Sequence, residues 1–439
     1  MPADNAPSAP RVLDVGALPT LEEYGYTGGR QSFHTFCERV FAPGGPRFLR
    51  SADGALAVFR HADIRALGAA PDMSTLAPAV LFPGLLDGPT PATDRPGFAV
   101  ADLLKNQLFT TNAPLNPALR KVLLNQIGPK QVAAQADRTR AIVADLLGAL
   151  PQGVPVDFVR QVAEPLIGRF WGGLLDMPDD EAEAAAVEAR QMSPMLSLRP
   201  DPKAGADIDA AARAYRALVQ GAADRALAKG GCPFVAGVAR DLSAIDIGDD
   251  LGHVGFVPKS AGAFLSGNLF DGFHTAVLGV ANTLYALLRR PEVLEEVRRF
   301  PEKAAAAVAE CLRLEPPVIQ LSRLTTAEIV YDDVVIPKGV LVTIMWGVGN
   351  HDPSAFPDPG TFDLDRPQQG ATMFGGGAHI CPGRFVALLA ARSMVEVLAA
   401  SEFNVAPASD ENYWLSGSAM SQLVHLPVFL EKTALGAAS

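Results

Sequence analysis

The stretch Phe374-Gly375-Gly376-Gly377-Ala378-His379-Ile380-Cys381-Pro382-Gly383-Arg384 constrains this chain more than any other. It holds one cysteine in a glycine-rich, aromatic-flanked loop that runs directly into a helical apolar pattern: Phe385, Leu388, Leu389, Met394 and Val395. Backbone N–H groups freed by the glycines can reach the sulfur, and the following helix aims its positive end at it. Both effects favour a thiolate and lower its proton affinity. A thiolate held this way suits a metal. The competing reading is a buried, inert cysteine, common for lone cysteines, and the glycine spacing argues against it.

The rest of the chain sets the frame. Four cysteines (Cys37, Cys232, Cys311, Cys381) show neither paired nor CxxC spacing, which speaks against a disulfide framework or structural zinc and for a reducing compartment. A net charge of −11 and a pI near 5.2 exclude nucleic acid and anionic membrane surfaces as general partners. The N-terminus carries no apolar leader, and no run of about 18 apolar residues predicts a membrane span. With 439 residues, two or three domains would fit. No linker divides the chain, so a single mainly helical domain over 1–439 is expected, with 1–30 irregular.

Along the chain, residues 47–60 read as a hairpin. Residues 70–115 form a long Pro- and Gly-rich apolar segment of functional character. Helices are expected over 117–150, 156–175, 207–229, 259–290 and 302–315, the last stopped by Pro316-Pro317. A Pro-rich break covers 193–206. Strands are expected over 328–336 and 340–345, joined at Pro337-Lys338-Gly339.

Phe374, Gly377, Cys381 and Gly383 form Phe-x-x-Gly-x-x-x-Cys-x-Gly, and here the chain resembles the cytochrome P450 family. Glu310-x-x-Arg313 matches the family's Glu-x-x-Arg, and Asn350-His351-Asp352-Pro353 with Phe356, Pro359, Phe362 and Arg366 resembles the segment before the cysteine loop. Read alone, Glu310 and Arg313 would be a solvated helix pair of little energetic value. The resemblance makes them a buried structural pair with Arg366 as third member. It implies a mainly α fold: a triangular helical prism with a small β-rich lobe, heme b lying between a long distal helix and the proximal cysteine loop. It makes Cys381 the axial ligand of heme iron, where thiolate donation favours O–O cleavage. Anionic propionates need cationic or strong donors, and motif position nominates Arg120, Arg323 and His379. Asn116 stands where the family usually has a histidine, so one such contact is weakened or rebuilt.

The distal helix departs from the pattern. In Asp271-Gly272-Phe273-His274-Thr275-Ala276, Thr275 takes the alcohol position, His274 replaces the acid and Asp271 replaces a small residue. Asn268, Asp271 and Thr275 share one helix face, flanked by phenylalanines and leucines, which suggests a cavity lining. The expectation is that Thr275 hydrogen-bonds dioxygen while His274 or Asp271 relays protons. The alternative is that His274 points away and only packs.

The resemblance implies insertion of one oxygen atom from O2 into a small hydrophobic or aromatic substrate, by hydroxylation or oxidative demethylation. Electrons would come from NAD(P)H through an external ferredoxin and reductase, docking near Arg384 and Lys121. It implies a soluble bacterial, cytoplasmic protein with no membrane or nucleic-acid partner. Two other readings stay open: a non-oxygenase heme-thiolate enzyme (peroxygenase, dehydratase or isomerase), and a heme or ligand carrier without turnover.

Overall fold

The longest element is the helix Ala261–Leu288, whose 28 residues span about 42 Å. Its sequence is apolar on nearly every side, which requires a buried position, and all but a few of its residues are buried. The Ser260 hydroxyl accepts the Ala263 N–H at 3.1 Å and caps it. Around it pack the helices Glu164–Leu175, Gly205–Lys229, Ala304–Leu314 and Arg384–Ala400. Gly267 and Gly272 permit close approaches. A Cβ there would lie 2.9 Å from the Leu103 carbonyl and 2.8 Å from the Trp171 ring. This computed structural model describes residues 10–81, 85–86, 95–198, 204–245, 255–409 and 413–432.

Beside the helices lies a five-stranded sheet in the order Phe48–Arg50, Leu56–Val58, Leu341–Ile344, Leu321–Thr325, Met73–Ser74. Leu56 pairs in parallel with Val342, and Leu321 antiparallel with Ile344. Its core includes Leu56, Val58, Ile64, Val342 and Trp346. The mainly helical expectation with a smaller β-rich lobe holds.

Several element boundaries differ from the sequence reading. The stretch 117–150 is three helices, Leu115–Ile127, Pro129–Ala133 and Ala136–Ala149. Gly128 is extended (ψ 171°) before Pro129, a geometry proline imposes on its predecessor. The stretch from 156 opens as the strand Val156–Asp157, paired with Pro427 and Val428, before a π-turn and the helix Glu164–Leu175. Residues 328–336 form a hairpin of their own, Ile329–Tyr331 against Val334–Ile336, turned by Asp332 at φ 54°. The next strand, Leu341–Ile344, joins the other sheet, so the Pro337 turn links two sheets. Within 1–30, Arg11–Val12 pairs in parallel with Val334–Val335, so that part is not irregular; residues 1–9 lie outside the described set.

The segment 70–115 holds the helix Phe98–Leu104, whose N-terminus is capped from a neighbouring helix. Asp209 accepts from Gly97 N at 2.6 Å and Val100 N at 3.2 Å. Residues 82–84 and 87–94 of that segment, and 199–203 of the Pro-rich break, lie outside the described residues.

Candidate active site

The cysteine loop is built by turns only glycine accommodates readily. Gly377 sits at φ 62°, and a Cβ there would come within 2.5 Å of the Gly68 carbonyl. Gly375 is also left-handed, at φ 73°. Gly383 is different: a Cβ would lie 3.9 Å from the Cys381 sulfur, in ordinary contact. Cys381 N donates to the Phe374 carbonyl at 2.8 Å and closes the loop. Trp346, which sequence reading missed, backs it, with its ring 3.4 Å from where a Gly376 Cβ would stand.

The sulfur receives the Gly383 N–H and lies at the start of Arg384–Ala400, as the sequence suggested. Its proton affinity goes the other way. Burial pushes the thiol up to about 11, outweighing the Gly383 bond and the Arg120 and Arg384 charges. The loop alone therefore does not hold a thiolate; a bound cation at sulfur would.

Opposite the loop, across a cavity of about 470 Å³, runs the middle of the long helix. Asn268, Asp271 and Thr275 all line the cavity. Asn268 is consumed structurally: Oδ1 accepts Leu108 N at 2.9 Å, and Nδ2 donates to the Asn106 and Phe264 carbonyls. The Thr275 hydroxyl donates to the Asp271 carbonyl at 2.6 Å. The accessible face of Asp271 opens into the cavity rather than bulk solvent, and desolvation pushes its carboxyl up to about 7 despite a 3.3 Å bond from Gln107. Gln107 lay in the Pro- and Gly-rich stretch with no pattern to mark it.

His274 is not among the cavity-lining residues. Its ring stacks on Phe270 at 6.3 Å and 3°, Nε2 has no partner among the described residues, and burial pushes it down to about 4. Of the two relay candidates, only Asp271 reaches the cavity. A histidine depressed from about 6.5 costs stability as pH falls. The unfolded chain protonates first, so stability is full above about 6.5 and drains toward pH 4, by about 1.4 kcal/mol per pH unit at most. His274→Phe should flatten that acid limb in denaturant melts taken against pH, leaving turnover unchanged.

Arg120, Arg323 and His379 border the same cavity. Arg323 is 3 % exposed, yet among the described residues its one side-chain bond goes to the adjacent Ser322 carbonyl, and burial pushes it down to about 10. Arg120 donates to the Ile380 carbonyl. Neither has a carboxylate partner among the described residues. Buried unpaired cations are costly, and a flat apolar group bearing two carboxylates answers them. Residues and cavity thus fit heme. Asn116 turns inward instead, donating to Leu108 O at 2.9 Å and Thr111 O at 3.2 Å, and reaches His379 Nδ1 only at 3.5 Å.

Beneath the loop, Arg313 grips Glu310 through two bonds of 2.8 and 2.7 Å, and Arg366 Nε adds a third at 3.0 Å. Gln368 and the Asp363 N–H complete the carboxylate's shell. Burial would raise Glu310, but the Arg313 bonds and charge hold it below the usual carboxylate range. Arg384 folds back onto the loop, donating to the Cys381 carbonyl at 2.8 Å, whereas Lys121 is exposed.

The cytochrome P450 family model matches residues 304–425. Cytochrome P450 107B1 of Saccharopolyspora erythraea is 31% identical over 340 residues, covering 77% of this chain and 80% of the relative. This chain is a cytochrome P450. The P450 is also 28% identical over 338 residues to 6-deoxyerythronolide B hydroxylase of the same organism, covering 76% of the chain and 80% of the relative. Its fold is similar to epothilone B-bound cytochrome P450epoK, with a TM-score of 0.77 at 20% identity over 90% of this chain and 96% of the other. As a P450 it belongs to the monooxygenases, oxidoreductases whose cofactor is heme. Among the described residues, no helix of the P450 is long and apolar enough to cross a membrane.

Proposed function

We propose that this P450 binds heme b through Cys381 and inserts one oxygen atom from O2 into a small, mainly apolar organic substrate. The carrying observation is the opposition of two faces across one cavity: the Cys381 sulfur on one side, Thr275 and Asp271 on the other. Bound heme would supply dioxygen activation. Arg120, Arg323 and His379 would hold its propionates, and Phe374 would pack against it. Gly377 and Gly383 would let the loop approach. Glu310, Arg313 and Arg366 keep the loop's platform rigid. We take residues 1–439 as one domain serving this site.

Thr275 Oγ1, one helical turn from Asp271, presents a hydroxyl to the cavity. Asp271 holds a proton near neutrality in the same cavity. Apolar residues such as Leu269, Ala276, Val318 and Met420 keep bulk water out. Two relatives are named as hydroxylases, of 6-deoxyerythronolide B and of C-19 steroids, which supports hydroxylation of a hydrophobic molecule. Electrons would come from NAD(P)H through a ferredoxin and reductase, with Lys121 in the docking patch.

The test is a carbon monoxide spectrum of the reduced, heme-loaded protein together with isotopically labelled O2. A thiolate-type band and one labelled oxygen in the product support the reading; unlabelled product overturns it. If Asp271 donates the proton, turnover of a neutral substrate falls as pH rises through about 7, because only the protonated acid donates. Asp271→Asn should remove that limb from the pH–rate profile.

A further inference from the structure

The cavity contains a charge that oxygen insertion into a neutral apolar molecule does not require. Asp271 presents its carboxylate to the interior, and its one side-chain partner among the described residues is the Gln107 amide at 3.3 Å. No cation approaches it within ion-pair distance among the described residues, although Arg120 and Arg323 border the same cavity. The surrounding wall is apolar, including Leu104, Phe109, Met195 and Val318. A carboxylate facing such a wall is costly when a neutral molecule displaces its water, and that cost disappears when the molecule brings a positive charge.

We infer that this cavity selects an apolar substrate bearing an aliphatic ammonium group, which pairs with the Asp271 carboxylate while the apolar part lies along the wall. This rests on the oxygen-insertion reading for its chemistry but not for its binding. It gives Asp271 two exclusive states. Toward neutral molecules it is a proton holder; toward cationic ones it is an ionised anchor, since the paired ammonium holds its carboxyl down.

The test compares phenylbutyl-trimethylammonium with the isosteric phenylalkane in which carbon replaces the nitrogen. The quaternary nitrogen can neither ligate iron nor lose a proton, so the two differ in charge alone. Calorimetric titration of the heme-loaded protein in mildly alkaline buffer should show the ammonium binding at least about tenfold tighter. Asp271→Asn should abolish that preference, weakening the ammonium and leaving the isostere bound at least as tightly, with a single cooperative melting transition and an unaltered carbon monoxide spectrum as the folding control. Equal binding of the two, no binding of the ammonium, or a preference that survives Asp271→Asn overturns the inference. Loss of the thiolate-type band or of label incorporation would sink the reaction reading while leaving the ligand preference intact, so the two failures are distinguishable.

Discussion

Arg313→Ala is expected to lower folding stability by about 3–5 kcal/mol, the usual effect of removing one partner from a fully buried ion pair. Arg313 and Glu310 are both 0 % exposed. The guanidinium also donates to the carbonyls of Asn350, Pro359 and Thr361, at 2.9, 2.7 and 3.2 Å. Alanine leaves the Asn350 and Pro359 carbonyls without their donor, the Thr361 carbonyl with Arg366 alone, and Glu310 with Arg366 as its remaining cationic partner. Those carbonyls belong to the segment leading into the cysteine loop, so heme loading should fall with stability. Glu310→Gln should cost less, because the amide oxygen still accepts. Arg313→Lys should resemble alanine more than arginine, since an ammonium cannot form the fork. Denaturant midpoints of the three variants check the order; equal midpoints for wild type and Arg313→Ala would refute it.

Cys381→Ser is expected to abolish oxygen insertion while leaving the fold standing. Among the described residues the side chain's hydrogen bond comes from the Gly383 N–H, which a hydroxyl oxygen can also accept, and serine is smaller than the cysteine it replaces. The reduced carbon monoxide complex should lose its thiolate-type band while melting changes little. The other three cysteines provide the control. Cys37, Cys232 and Cys311 are buried, and none lines the cavity. Cys232 spends its thiol on the Leu174 carbonyl at 3.1 Å, and burial pushes Cys37 and Cys311 up. Cys311→Ser should therefore shift stability and not the spectrum.

Local features of this site were legible in sequence where local rules decide them. The long helix was readable within two or three residues at each end, because its apolar run and Ser260 cap are local signals. The order of motifs from Glu310 to Arg384 pointed to the fold. Sequence could not say where Asp271 and His274 face, since that depends on Tyr215 and Trp171 arriving from other helices to pack on Phe270 and Gly272. It misjudged the Cys381 proton affinity for a related reason: helix ends and loop amides are written locally, whereas desolvation is made by the whole surround. The hairpin at 329–336 was taken for one strand because Ile329-Val330-Tyr331 and Val334-Val335-Ile336 are both strand-forming runs; the Asp332-Asp333 pair between them marks the turn, with Asp332 at φ 54°.

The five-stranded sheet has a consequence for how the protein is made. Leu56–Val58 has the neighbouring Phe48–Arg50 from the start of synthesis, but its other partner, Leu341–Ile344, lies most of a chain length away. Met73–Ser74 likewise waits for Leu321–Thr325. On a ribosome adding about 5–20 residues per second, those edges stay unpaired for many seconds. The early hairpin must wait with an unpaired edge, so growth temperature and chaperone supply should affect the yield of this P450.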